Sequence, residues 1–129
     1  MTTLSAIVIA KNEAENIAEC LKSLSFADEI VVVDSGSEDD TVKIAREYTD
    51  KVYEIEWKGF AGTKQVALER AKGDWVIWVD ADERVPHELA QEIRSIVNAD
   101  RAFAGYRMPR KAFFLGRWMR HGGWYPGYV

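Results

Sequence analysis

Runs of apolar, mostly β-branched residues recur along the chain and predict the strands of a sheet. Four of them lie at Leu4 to Ala10, Glu29 to Asp34, Val52 to Ile55 and Trp75 to Asp80. Their centres are apolar at successive positions, which is typical of parallel strands buried on both faces. Gly105 to Met108 predicts a fifth strand.

Helical patterns fill the segments between these runs. Apolar residues three and four positions apart share one stripe, as Ile17, Cys20, Leu21 and Leu24 do in the first segment. We predict helices over about residues 14–24, 39–48 and 63–71, and a fourth that begins near Pro86. Alternating strands and helices predict an α/β fold, with a mostly parallel sheet flanked by helices in a Rossmann-like arrangement.

Local signals predict where the helices begin and end. Asn12 with Glu15, and Ser37 with Asp40, have the spacing of capping pairs. Residues 59–62 contain two glycines and are expected to form a loop. Gly73 is expected at the C′ position of the third helix.

The expected strand order is 3-2-1-4, which is that of a nucleotide-binding half. In this order the segments Ala10 to Glu13, Asp34 to Ser37 and Asp80 to Asp82 follow neighbouring strands and meet at one crevice. Open α/β sheets bind ligands at such a place.

The fourth strand ends in three carboxylates, of which Asp80 and Asp82, two residues apart, suggest a divalent metal. Mg²⁺ and Mn²⁺ prefer oxygen ligands, and Mg²⁺ is commonly held by one or two carboxylates together with substrate phosphates. We expect Asp82 to bind the metal directly and Asp80 to reach the metal-bound water or a ribose. Alternatively, Asp80 only caps the next turn and Glu83 faces solvent.

Other residues of the crevice are candidates for nucleotide binding. Asp34 and Ser35 could bond a nucleobase or ribose, although Asp-Ser-Gly-Ser is equally ordinary turn chemistry. Lys64 could neutralise a pyrophosphate or be solvated. The first turn offers either nucleotide contacts or a helix cap. The expected nucleotide-binding residues are Ala10, Asn12, Glu13, Asp34, Ser35, Lys64 and Asp80.

Composition indicates a soluble globular chain in which charge is unevenly distributed. The 129 residues suit one domain, with an α/β core over 1–100 and a basic, aromatic segment over 101–129. That segment holds six Lys or Arg and no Asp or Glu, although the net charge of the chain is −4. It is either a solubilised edge or a surface for an anionic acceptor or membrane. The one cysteine, Cys20, is expected in the core.

No signal peptide or run of about 20 apolar residues is present in the sequence. We therefore expect a cytoplasmic protein, with contact at the inner face of the cytoplasmic membrane as an option. Apolar residues at 113–115 and 118–119 could support self-association. Nucleic-acid binding is not expected, because the chain is acidic overall and lacks an RNA-binding motif.

Three segments together resemble family-two glycosyltransferases, namely 5–13, 31–37 and 78–83. Gly73-Asp74-Trp75 and His121 to Pro126 are similar to the branch that adds sugars to the lipopolysaccharide core. The resemblance implies the nucleotide-sugar-binding domain of the GT-A fold, an NDP-sugar donor, and inverting transfer to a glycan or lipid-linked glycan. It further implies a divalent metal at Asp82, nucleoside contacts from Asp34 and Asp80, and UDP-hexose as donor. The family extends further than Val129, so the sequence is expected to be C-terminally truncated.

The general base of such a transfer has no clear candidate in the sequence. An inverting transfer needs a group that takes the acceptor proton, and no Asp or Glu follows Asp100. His121 is one candidate, because imidazole titrates near neutral pH. Expected acceptor-side residues are Arg110, Arg117, His121, Trp124 and Tyr125. The alternatives are a nucleotide-sugar-binding or assembly module without transfer activity, and a sugar nucleotidyltransferase, which would carry a glycine-rich basic loop after its first strand.

Overall fold

Strands and helices alternate along the chain in the computed structural model, which describes residues 3–99, 111–114 and 126–127. The first 80 residues hold most of the sheet. The elements are β1 (Leu4–Ala10), α1 (Ile17–Lys22), β2 (Glu29–Asp34), α2 (Thr41–Ala45), β3 (Val52–Glu54), α3 (Gly59–Arg70), β4 (Trp75–Asp80), α4 (His87–Ala99), β5 (Lys111–Phe114) and β6 (Pro126–Gly127).

One sheet with the order β3-β2-β1-β4-β5-β6 forms the centre of the fold. All neighbouring strands are parallel except β5 and β6, which are antiparallel. The predicted order 3-2-1-4 is confirmed, and β1, β2 and β4 have the predicted bounds. The strand predicted at Gly105 to Met108 lies outside the described residues, and the strand beside β4 is Lys111–Phe114.

Helices cover both faces of the sheet. Buried apolar side chains form two clusters, one on each face. The larger cluster packs one face of the sheet against α1, α2 and α4, and the smaller cluster packs the other face against α3. Successive residues of a strand point to opposite faces of the sheet and therefore belong to different clusters. In β4, Ile77 and Val79 belong to the larger cluster, and Val76 and Trp78 belong to the smaller one. This explains why the strands are apolar at consecutive positions. Cys20 is fully buried in the larger cluster, as predicted.

The predicted helix ends were less accurate than the strands. Helix α1 begins at Ile17, three residues later than predicted, and α2 is confined to Thr41–Ala45. The predicted loop at 59–62 is wrong, because these residues form the first turn of α3. Gly59 has a φ of +78°, a conformation that glycine adopts without steric cost, and it lets the chain turn directly into the helix.

The predicted capping pairs are also wrong. The N-cap residues of α1 and α2 are Asn16 and Asp40, and neither side chain caps its helix. The side chain of Asn12 bonds the neighbouring loop instead of α1, and the hydroxyl of Ser37 bonds Asp34. Tertiary contacts between loops therefore take the groups that local spacing assigned to helix ends.

Gly73 has a different role from the predicted C′ position. Helix α3 has its C-cap at Ala71, and Gly73 lies two residues beyond it. A Cβ atom at Gly73 would lie 2.6 Å from Ser5 Oγ and 2.7 Å from Ser5 N. Glycine is required here because the chain passes directly over β1. Within the part of the chain that the structure describes, no helix is both long and apolar enough to cross a membrane.

Candidate active site

The carboxyl ends of β1, β2 and β4 meet at one edge of the sheet. Ala10 pairs with Asp34, and on the other side of β1 Ile9 pairs with Asp80. The parallel direction of the three strands brings the loops that follow them together. The three segments that the sequence indicated therefore lie side by side at this edge.

Asp34 is buried and organises the loop after β2. Its Oδ2 atom accepts hydrogen bonds from the backbone N–H groups of Gly36 at 3.0 Å and Ser37 at 2.8 Å. Its Oδ1 atom accepts a bond from the Ser37 hydroxyl. Gly36 has a φ of +105°, which favours glycine and lets the loop fold back over the carboxylate. Only 1% of Asp34 is exposed, so the carboxylate acts first as the centre of this turn.

The loops after β1 and β2 are joined by two bonds around Asn12. The Asn12 N–H donates to Ser37 Oγ at 2.8 Å, and Asn12 Oδ1 accepts from the Glu38 N–H at 2.8 Å. Asn12 has a φ of +54°, a left-handed conformation in which asparagine is enriched. The bonds of Asn12 thus connect β1 to the turn that Asp34 holds.

A second pair of bonds joins the same loops farther from the strands. The Glu13 N–H donates to Thr41 Oγ1 at 2.8 Å, and the Ala14 N–H donates to Asp39 Oδ2 at 3.1 Å. The Thr41 hydroxyl bond, followed by backbone N–H bonds, holds the pKa of Asp39 below its ordinary value. Asp39 is therefore charged at neutral pH and remains a good acceptor for both loops.

Three carboxylates cluster at the carboxyl end of β4, whose last residue is Asp80. Oxygen atoms of Asp80, Asp82 and Glu83 all lie within 4.8 Å of one another. Asp80 and Asp82 are exposed, whereas only 8% of Glu83 is exposed. The Glu83 N–H donates to the Asp80 carbonyl oxygen at 2.9 Å, so a tight turn brings the three side chains together. The alternative in which Glu83 faces solvent is wrong.

The donor set of this cluster suits a hard divalent cation. Oxygen ligands bind Mg²⁺ at about 2.0–2.1 Å, so ligands on opposite sides of the ion are about 4 Å apart. The three carboxylate oxygens lie within 4.8 Å of one another, which is compatible with binding one such ion. Mutual repulsion of three carboxylates is relieved by a bound cation, and two exposed members leave room for further oxygen ligands.

Cys20 lies behind the acidic turn. Its Sγ atom is 3.5 Å from the Asp80 carbonyl oxygen, which it contacts as a donor. Burial, followed by the nearby charges of Glu83, Asp82 and Asp80, raises the pKa of the Cys20 thiol to about 12. The thiol is thus uncharged at neutral pH and is part of the support of the turn.

Lys64 lies over an aromatic ring of the sheet. Its Nζ atom is 4.9 Å from the centroid of the Trp78 indole, a cation–π distance. Partial burial lowers the pKa of Lys64. Trp78 is two residues before Asp80 on β4, and its side chain belongs to the face that α3 covers. The role of Lys64 toward a pyrophosphate stays a prediction.

The remaining predicted site residues divide into two groups. Ala10 and Ser35 are buried and bonded to each other, with Ser35 N 3.0 Å from the Ala10 carbonyl oxygen. Glu13 accepts a bond from the Asn16 side chain at 3.0 Å. The acceptor-side predictions lie outside the described residues; they are Arg110, Arg117, His121, Trp124 and Tyr125.

Sequence reasoning missed several residues that build the site. Glu83 belongs to the acidic cluster, and its position next to Asp82 was the available signal. Ser37, Asp39 and Thr41 link the loops, but their bonds reach across about 25 residues and leave no local pattern. Ser23 on α1 also contacts the turn after β4, through the Val85 N–H.

A model of glycosyl transferase family 2 matches residues 5–128, nearly the whole chain. The chain belongs to this family. The crevice is therefore part of a family-2 domain, and the expected GT-A fold is confirmed by solved glycosyltransferase structures. Membership does not support the sugar nucleotidyltransferase alternative.

Two relatives that are named as glycosyltransferases show how similar the chain is to curated proteins. The lipopolysaccharide core biosynthesis glycosyltransferase LpsC of Rhizobium meliloti is 36% identical over 118 residues, covering 88% of this chain and 44% of LpsC. An uncharacterized glycosyltransferase of Rickettsia felis is 43% identical over 108 residues, covering 81% of this chain and 38% of the relative. The chain thus spans less than half the length of either protein.

Two solved structures share the architecture of this chain. The first 349 residues of TarS from S. aureus superpose with a TM-score of 0.65 at 31% identity, covering 77% of this chain and 33% of TarS. Glucosyl-3-phosphoglycerate synthase from Mycobacterium tuberculosis, solved with Mg²⁺ and UDP, gives a TM-score of 0.62 at 27% identity. That match covers 76% of this chain and 39% of the synthase.

Proposed function

We propose that this chain is the donor-binding region of a metal-dependent, inverting glycosyltransferase. The donor is an NDP-sugar, with UDP-hexose as the specific proposal, and the acceptor is a lipopolysaccharide-core or related surface glycan. One observation carries the proposal: the Asp80, Asp82 and Glu83 oxygens cluster within 4.8 Å beside the loops of β1 and β2. A metal–diphosphate site beside a nucleoside pocket requires this arrangement.

Each part of the crevice has an assigned task in this proposal. Asp82 and Glu83 hold Mg²⁺ or Mn²⁺, and Asp80 binds the ribose or a water of the metal. The bound cation would neutralise charge on the departing nucleoside diphosphate. The turn of Asp34 provides the nucleoside contacts, and Lys64 faces the pyrophosphate. Support comes from the Mg²⁺ and Mn²⁺ complexes of the mycobacterial synthase with UDP, whose fold this chain shares.

The acceptor follows from the similarity to LpsC, whose name states a role in lipopolysaccharide core biosynthesis. We assign the acceptor side to residues 110–125. This segment is basic, which suits an anionic glycan precursor at the inner face of a membrane. Flotation with anionic and zwitterionic vesicles tests the membrane contact, and sedimentation velocity tests self-association. We do not propose a nucleic-acid partner.

Transfer by these 129 residues alone is expected to be weak or absent. Residues 101–129 contain no Asp or Glu that could take the acceptor proton, and metal-bound Asp82 is a poor base. This favours a second candidate, a nucleotide-sugar-binding or assembly module. Product formation from a radiolabelled UDP-sugar separates the two. Robust turnover would contradict the expectation and make His121 the first base to substitute.

The donor site is tested by calorimetric titration with UDP, with Mn²⁺ and with EDTA. The unchanged chain should bind UDP at least about tenfold more tightly with Mn²⁺, and Asp82→Ala should abolish that gain. Asp50→Ala is the matched control, because Asp50 is exposed and precedes β3 at the opposite edge of the sheet. Metal-independent binding, or no binding by the folded chain, would overturn the proposal. ADP and GDP titrations then test the choice of nucleobase.

A further inference from the structure

Helix α1 supports the acidic turn from behind through its last residues. Ser23 is the C-cap residue of α1, and its hydroxyl donates to the Cys20 carbonyl oxygen at 2.7 Å. The same hydroxyl oxygen accepts a hydrogen bond from the Val85 N–H at 2.9 Å. Ser23 thus connects the helix to the end of the segment that carries the carboxylates.

Cys20 makes the corresponding contact at the start of that segment. It lies three residues before Ser23, a spacing that places both side chains on the same side of a helix. Its thiol contacts the Asp80 carbonyl oxygen at 3.5 Å. The two contacts therefore bracket the turn: one holds residue 80, the other holds residue 85, and the metal-binding carboxylates lie between them.

We propose that Ser23 is a positioning residue for the metal site, acting through the backbone of the turn after β4. The inference rests on the proposed function, because it concerns the same carboxylates. Without the hydroxyl, the Val85 N–H loses this acceptor and the end of the turn is released from α1. Asp82 and Glu83 then sample wider separations than a cation accepts. Groups that orient metal ligands commonly change metal affinity by 10–100-fold.

A purely structural role for Ser23 would give a different result. Ser23 is half-buried, and Ser23→Ala removes one oxygen atom without opening a large cavity. Nucleotide contacts from the loops of β1 and β2 do not involve Ser23. A positioning role therefore predicts loss of metal affinity with unchanged binding of UDP in EDTA, whereas general destabilisation would weaken both.

The test measures Mn²⁺ binding by electron paramagnetic resonance in the presence of saturating UDP. Ser23→Ala should weaken Mn²⁺ binding about tenfold. Ser23→Thr, which keeps the hydroxyl, and Ser25→Ala, an exposed serine two residues away, should bind like the unchanged chain. If Ser23→Ala does not fold, Ser23→Cys replaces it, because a thiol is a weak acceptor.

Amide hydrogen exchange provides a readout that does not depend on metal. Exchange at Val85 and Glu83 should accelerate in Ser23→Ala and stay unchanged in Ser25→Ala. Equal Mn²⁺ affinity in the two variants, or unchanged exchange at Val85, would overturn the inference while leaving the proposed function intact. Absence of Mn²⁺ binding by the unchanged chain would overturn the proposed function and this inference with it.

Discussion

The side-chain oxygen of Asn12 accepts a hydrogen bond from the Glu38 N–H at 2.8 Å, so one residue after β1 holds the loop after β2. The backbone N–H of Asn12 bonds Ser37 in the same loop. Because Ser37 also bonds the carboxylate of Asp34, Asn12 acts on the proposed nucleoside pocket through its neighbours. Its place in the predicted set of nucleotide-binding residues is thus understandable even without a direct contact.

Asn12→Gly and Asn12→Ala separate the bond of this residue from its backbone conformation. Both remove the acceptor of the Glu38 N–H. Loss of one hydrogen bond that orders the loop should weaken the binding of UDP in EDTA by about 3–10-fold in each variant. Only alanine must also adopt the φ of +54°, at a further cost of about 1 kcal/mol. The free energy of unfolding measured in urea should therefore be highest for the unchanged chain, lower for Asn12→Gly and lowest for Asn12→Ala. Equal stability of the variants would contradict this account of Asn12.

The second prediction concerns pH and a polar network at the opposite edge of the sheet. Glu29 accepts bonds from Lys51, from the Lys72 N–H at 2.7 Å and from the Ser5 hydroxyl. Burial alone would raise the pKa of Glu29, but these bonds outweigh it and hold the pKa below the ordinary 4.5. The charged form of Glu29 therefore stabilises the folded chain fully above pH 4.5. This contribution to the free energy of unfolding is lost as the pH falls toward the lower pKa of Glu29 in the folded state.

Glu29→Gln tests this pH dependence. At pH 7 the variant should lose about 2 kcal/mol of unfolding free energy, and the difference from the unchanged chain should shrink below pH 4.5. Glu54→Gln is the control, because its ion pair with Arg46 is exposed and should contribute less than about 0.5 kcal/mol. A difference that stays constant from pH 7 to pH 3 would rule out the charged form of Glu29 as its origin.

The third prediction concerns the reactivity of Cys20. In the folded chain the pKa of the thiol is raised from 9.0 to about 12, which lowers the thiolate fraction at pH 8 about a thousandfold. Cys20 should therefore react with a disulfide reagent at least that much more slowly in buffer than in guanidinium, where the thiol is exposed. Absorbance of the released thiol gives both rates. Comparable rates would show that the site behind the acidic turn is open.

The fourth prediction concerns Gly73. Alanine at this position would bring its Cβ atom to 2.6 Å from Ser5 Oγ and 2.7 Å from Ser5 N, so strands must shift. We expect Gly73→Ala to lose about 2–3 kcal/mol in urea unfolding. The double variant Ser5→Ala, Gly73→Ala should recover little, because the backbone nitrogen of Ser5 remains in place. Full recovery would assign the clash to the hydroxyl alone.

The bounds of β1, β2 and β4 could be predicted from the sequence to the residue. Strand β3 ends one residue earlier than predicted, and the loops could not be predicted. Burial on both faces of β1, β2 and β4 requires unbroken apolar runs, and the ends of these runs are visible in the sequence. The first residues of the helices depend on hydrogen bonds between distant loops, such as that of Glu13 with Thr41. Helix α3 also depends on the positive φ of Gly59, which lies in a segment predicted as a loop. The three segments meet at the predicted edge because their meeting follows from strand order, whereas contacts such as that of Ser23 with Val85 are tertiary.

Ser5 and Gly73 lie at the far end of the β1–β4 pair from the carboxylates. The pairing runs without interruption from Leu4 with Trp75 to Ile9 with Asp80, a length of roughly 17 Å at about 3.3 Å per residue. If the register between β1 and β4 shifted by one residue at the Leu4–Trp75 end, every following side chain of the shifted strand would move to the opposite face of the sheet. The side chain of Asp80 would then lie on the other face. Substitutions of Ser5 or Gly73 would consequently resemble loss of a carboxylate from the acidic cluster, although both residues lie at the other end of the paired strands.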